Sequence, residues 1–239
     1  MRSRAAILRT YGGPWSVEEF ELAPPRAGEV LVRMAAAGLC HSDEHIRQGH
    51  LAPPAQSAPT APTIGGHEGS GVVVQVGDGV TGPSPGDHVV TSFVAVCGQC
   101  HWCSSGMEYI CDAGAGTMLP GMPTDGTFRH HGCDGRDLAH VSKIGAFAEH
   151  TVVSAASVRG TRTRVDPQDL MLMNKTLCGT VFGSCNPRTD IPLLATLYEA
   201  GRLHLDEMVT KCYQLDDINQ AYEDLAGGEL IRGIIDFGL

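Results

Sequence analysis

Gly65-Gly66-His67-Glu68-Gly69-Ser70-Gly71 runs directly into Val72-Val73-Val74-Gln75-Val76. Glycine frees the backbone for a tight turn, and the branched residues that follow suit a pleated strand. A His-Glu pair therefore sits at the mouth of a strand. The same mixture of branched and apolar residues, bounded by Gly or Pro, recurs at AAILRT (5–10), WSVEEFEL (15–22), EVLVRMAAAGL (29–39), GDHVVTSF (86–93) and GAFAEHTVVS (145–154). The expected fold is mainly β with a few helices. The Pro/Ala/Ser run at 51–62 reads as a surface loop, because strand pattern resumes directly after it. Helical spacing begins near Asp190, read as a cap with Pro192 in the first turn, Leu193, Leu194, Leu197 and Tyr198 on one face, and Gly201 as the stop. A second helix is expected from about Asp216 to Ala226, closed by Gly227-Gly228, with a last strand from Ile231 to Phe237. There is no internal repeat.

Upstream, Gly38-Leu39-Cys40-His41-Ser42-Asp43-Glu44-His45 collects a thiol, a hydroxyl, carboxylates and two imidazoles where a strand gives way to a helix. Cys40 and His67 are candidate ligands of a catalytic zinc, a site that usually takes three protein ligands and keeps one position open. Asp43 or Glu68 is a candidate to hydrogen-bond a ligand from behind and fix its geometry. On residue type alone, a core cysteine and a surface His-Glu pair are the commoner outcomes.

Downstream, Cys97, Cys100, Cys103 and Cys111 follow the spacing C-x2-C-x2-C-x7-C. Four thiolates at such intervals can reach the corners of one tetrahedron, which zinc prefers; the common iron–sulfur run has a different last interval. A site closed by four cysteines has no room for substrate, so this zinc is expected to be structural. Arg129-His130-His131-Gly132-Cys133 reads as structural, and Cys185 and Cys212 read as packed thiols.

Length and charge narrow the class. The chain has 239 residues, 42% of them hydrophobic, enough to bury a core. Its net charge of −10 argues against nucleic acid or an anionic membrane surface as partner. No apolar run suggests a signal peptide or a span. Nine cysteines, four of them clustered, suit a reducing compartment, and a cytoplasmic location is expected.

Taken together, Gly66-His67-Glu68 with Gly71, Gly77 and Val80, the stretch Gly38–Asp43, Pro85-Gly86-Asp87, the four-cysteine lobe, Gly145–Glu149 and Ile231–Ile235 resemble the zinc-containing medium-chain alcohol dehydrogenases. The nearest flavour is the NAD-dependent alcohol and formaldehyde dehydrogenases, including the type with tightly bound cofactor. The resemblance covers about residues 1–158 and 171–239. It implies a GroES-like, β-barrel-type catalytic domain over 1–158 with a structural zinc lobe at 97–111. It also implies a junction at 159–182, and a C-terminal part of the catalytic domain over 183–239. Cys40, His67 and Glu68 are implied at the catalytic zinc, Ser42 and His45 as the proton relay, and His41 and Arg232 at the pyrophosphate of NAD. The implied substrate is a small alcohol or aldehyde.

One part of the family pattern is missing. After Val158 the family continues into a third cysteine ligand and a dinucleotide-binding domain, whereas this chain soon rejoins the pattern near Met171. No G-x-G-x-x-G run after a strand is expected, and the Rossmann domain is largely absent. Thr176–Gly183 resembles the last strand of that lost sheet, and within it Cys178 is a candidate substitute third ligand, although a buried strand cysteine is the ordinary outcome. Positioning the cofactor carbon against the alcohol can contribute about 7–11 kcal/mol, and nothing here would hold it. Two readings follow: an alcohol dehydrogenase by descent that is inactive or severely impaired, or a non-catalytic, zinc-stabilised remnant. The family dimer forms through the missing domain, so no oligomeric state is expected.

Overall fold

A ten-residue, mostly apolar strand, Glu29–Gly38 (β3), organises the fold in this computed structural model, which describes residues 1–51, 62–115, 119, 121–160, 182–228 and 230–238. One edge of β3 pairs along its length with Glu68–Val76 (β5), antiparallel, from Val30 opposite Val76 to Gly38 opposite Glu68. Its other edge is shared: Glu29–Arg33 pairs with His150–Ser154 (β9), and Ala36–Gly38 pairs with Arg232–Asp236 (β12) near the end of the chain. His88–Thr91 (β6) and Val158–Gly160 (β10) extend the sheet on one side, and Val209–Tyr213 (β11) closes the other, giving the order β10-β6-β5-β3-β12-β11 with β9 beside β3.

Arg2–Leu8 (β1) and Trp15–Leu22 (β2) form a second sheet with the short strands Thr63–Ile64 (β4), His130–Gly132 (β7) and Ala139–His140 (β8), in the order β7-β2-β1-β4-β8. Side chains alternate along a strand. On β1 both faces are covered: Ala5 and Ile7 enter one core with Phe20, Leu31 and Val152, while Ala6 and Leu8 enter another with Trp15, Val32 and Phe147. Between the sheets lies a buried, two-pronged ion pair, Arg129 to Glu29, with both nitrogen–oxygen distances 2.8 Å.

The helices are few: His41–Arg47 (α1), His101–Ser104 (α2), Pro187–Glu199 (α3) and Ile218–Ala226 (α4). The mainly β reading holds. On α4, Ile218, Ala221, Tyr222 and Leu225 are buried at helical spacing, and α4 carries the chain from β11 to its parallel partner β12. The start of α3 differs from the sequence reading. Asn186 takes the cap position and Pro187 the first helical one, where its missing N–H costs nothing. Asp190 still closes that end, but from inside, by accepting the Asn186 N–H at 2.7 Å.

Two further expectations are corrected. Gly77-Asp78-Gly79-Val80-Thr81-Gly82 does have the bare G-x-G-x-x-G spacing directly after β5, but it turns into antiparallel β6 and opens no helix. Cys212 is exposed and Cys185 only partly covered. Cys212 lies on β11, the edge strand, whose central residues face solvent. Cys178 and Thr176–Val181 lie outside the described residues. No described helix is long and apolar enough to cross a membrane.

Candidate metal centres

The pairing of β3 with β5 brings the two ligand-bearing stretches together. Gly38 stands opposite Glu68, Cys40 follows at the cap position of α1, and His67 immediately precedes β5. Close approach is needed here: a β-carbon at Gly38 would lie 2.4 Å from Glu68 Oε2. One donor atom each from Cys40, His67 and Glu68 fall within 4.8 Å of one another.

Asp43 backs this cluster. Its carboxylate is wholly buried; Oδ1 accepts the Gly66 N–H at 2.9 Å, and Oδ2 lies 3.1 Å from His67 Nδ1. That second contact is close in distance but off the hydrogen-bond line. Gly66 has φ 84°, and a β-carbon there would strike Phe147, so the turn that presents His67 needs glycine. Burial disfavours charge on the His67 ring, yet Asp43 and Cys40 beside it outweigh that and push the imidazole up to about 10. His67, opposed by burial and helped by Ser42, holds the Cys40 thiol below its usual range. A thiolate-favouring Cys beside an imidazole whose far side faces a carboxylate is a donor set suited to zinc.

The other residues lie around this centre. Glu68 Oε2 accepts from Arg232 Nη1 at 2.9 Å, and the same nitrogen reaches Leu39 O at 3.1 Å. Arg232 thus holds Glu68, a contact that sequence reasoning missed because 164 residues separate the two. Ser42 is half-buried and His45 exposed, three residues apart on one face of α1, with the His45 ring 5.8 Å from that of His50. His41 is exposed at the start of the same helix.

The second centre is the Cys97–Cys111 lobe. Its Sγ–Sγ separations are 4.0 Å (Cys97–Cys103), 3.6 Å (Cys100–Cys103), 3.8 Å (Cys100–Cys111) and 3.6 Å (Cys97–Cys111). Four sulfurs about 2.3 Å from a central zinc would stand about 3.8 Å apart. Backbone N–H groups of Gln99 and Cys100 point at Cys97 Sγ, and that of Cys97 points at Cys111 Sγ, at 3.3–3.5 Å. The four thiols fit a zinc ion. Among the described residues, these two groups alone gather three or more such donors at that spacing. His130 and Arg129 are buried in structural contacts, and His131 pairs with Asp137 at the surface.

A two-sheet GroES-like core carrying a four-thiol lobe and a Cys-His-Glu cluster defines a class, and comparison with known proteins identifies its family. Residues 26–162 match the alcohol dehydrogenase GroES-like domain. Putative alcohol dehydrogenase D of Mycobacterium tuberculosis is 31% identical over 374 residues, an alignment covering 98% of this chain and 100% of that protein. The NDMA-dependent alcohol dehydrogenase of Amycolatopsis methanolica is 30% identical over 374 residues, with 98% and 99% covered. An alcohol dehydrogenase zinc-binding domain protein from Burkholderia ambifaria shares the fold, with TM-score 0.83, 21% identity and 99% of both chains covered. The chain belongs to the zinc-type medium-chain alcohol dehydrogenase family. The alignments run to 374 residues against 239 in this chain, which therefore skips a long stretch of its relatives. The family implies zinc, which the donors fit, and NAD. For NAD the fit fails: among the described residues strands pair in parallel at β4–β8 and β11–β12, and neither connection carries a glycine-rich loop that opens a helix.

Proposed function

We propose that this chain is the metal-holding, alcohol-recognising half of a zinc alcohol dehydrogenase, and that by itself it does not complete hydride transfer. The observation that carries the proposal is the convergence of Cys40, His67 and Glu68, backed by Asp43, in a chain that skips a long stretch of its relatives. Cys40 and His67 would hold zinc, with Glu68 beside them. Zinc, when bound, supplies Lewis acidity towards the oxygen of a primary alcohol or formaldehyde adduct. Asp43 keeps the His67 ring turned to the centre. Ser42 would accept the alcohol proton, and His45, exposed one turn further along α1, would pass it to solvent. The Cys97–Cys111 lobe would hold a structural zinc.

A second reading, with the lobe as the sole metal site, is favoured by one contact. Arg232 already occupies Glu68, which leaves Cys40 and His67 as the free donors. Metal analysis separates the two: two zinc ions per chain, falling to one in Cys40→Ser, supports the first, and one zinc in both supports the second. Titration with NADH tests the rest. No saturable binding is expected; saturable binding with coenzyme reduced by an added alcohol would overturn the proposal.

A further inference from the structure

The four-thiol lobe touches both flanks of the junction. β10 ends at Gly160, α3 begins at Pro187, and the two elements pack together beside the lobe. Within the lobe, Glu108 donates its backbone N–H to Asn186 Oδ1 at 3.3 Å and accepts the Arg188 N–H on Oε2 at 3.2 Å. Asn186 is the cap of α3, so the lobe grips that helix by its first turn. The Arg188 guanidinium fills the space a side chain at Gly98 would need: a β-carbon there would lie 1.6 Å from Nη1. Gly98, at φ 77°, is the bend of the Cys97–Cys100 knuckle.

A second arginine approaches from the other flank. Arg159, on β10, lies in the field of Glu108, Cys111 and Cys103, opposed by Arg188. Its Nε and Nη2 are buried without a hydrogen-bond partner among the described residues, and Nη1 reaches only the neighbouring Val158 carbonyl, at 2.6 Å. A buried guanidinium is costly unless negative charge faces it. Four thiolates around one dipositive ion leave a net charge of about −2, which would meet that need.

We propose that Arg159 and Arg188 are the counter-charges of the metal-loaded lobe, so that metal binding there latches α3 to β10. The proposal rests on reading the four thiols as a zinc site. An emptied lobe would lose both the fixed knuckle against which Arg188 lies and the charge that Arg159 faces. Arg159 is the stronger arm, because Arg188 is largely exposed and charge contacts in water are weak.

The test is amide hydrogen exchange on the full chain carrying Cys40→Ser, so that bound zinc reports the lobe, before and after the metal is stripped under reducing conditions. Exchange across 187–199 is expected to accelerate by about tenfold or more on stripping, while β3 and β5 keep their protection. In the same background, R159Q and R188Q should each lose zinc to a competing chelator more readily, R159Q by about tenfold or more. Equal exchange in α3 with and without metal, or R159Q holding zinc like its parent, overturns the latch and leaves the zinc reading standing. Loss of protection in β3 and β5 together with α3 also overturns it, since the metal would then be stabilising the whole fold. A chain that takes up no zinc overturns the zinc reading and the latch with it.

Discussion

Asp43 shows how much one buried carboxylate can hold. It anchors the Gly66 turn through one oxygen and faces His67 with the other. Asp43→Asn keeps an oxygen for Gly66 but removes the charge behind the imidazole. Zinc at Cys40 and His67 should weaken by about 10–100-fold in a chelator competition, with the lobe zinc unaffected. Arg129 and Glu29 are a different case, a wholly buried ion pair. Glu29→Gln leaves the buried Arg129 with Asp125, 2.8 Å away, as its remaining charged partner, so the change should cost up to about 3 kcal/mol in denaturant unfolding. At this scale the sequence was readable where donors are close in the chain or sit in glycine-rich turns, as with Cys97–Cys111, Cys40 and His67. It was silent on Arg232 with Glu68 and on Arg188 with Gly98, because those partners meet only through the tertiary fold.

The long strands β1, β2, β3 and β5 were legible because runs of branched and apolar residues fill them. The strands β4, β7, β8 and β10 were not, since two or three residues carry no periodicity and owe their form to the neighbour they pair with. The start of α3 was misread by four residues, because Asp190 looked like the cap while Asn186 held it. The β7 and β8 strands carry a titratable pair: the rings of His130 and His140 meet edge to face at 4.9 Å. Burial holds His130 well below the ordinary imidazole range, and burial with Lys143 nearby pushes His140 down to about 4. In the unfolded chain both take up protons near pH 6.5. The unfolded state therefore binds more protons between about pH 6.5 and 4, and stability falls as pH drops through that window. From pH 7 to pH 5, His140 alone should account for about 2 kcal/mol. Thermal or denaturant midpoints at the two pH values should differ less in His140→Gln than in the parent chain.

For the molecule as a whole, the metal-bearing half of the family was readable in the sequence because its motifs are local. The fate of the skipped segment was not, because closing a gap is a matter of which surfaces meet. β3 shares one edge between β9 and β12, and β12 lies far along the chain from β3. During synthesis β12 leaves the ribosome long after β3. Until it does, the Ala36–Gly38 edge beside the Cys40 centre presents open backbone groups to any passing strand. A chain stopped before Arg232 should therefore collect in pellets on sedimentation, whereas the full-length product stays in the supernatant. Arrival of β12, not the folding of the first hundred or so residues, would then set the moment at which this edge becomes safe from neighbours on the polysome.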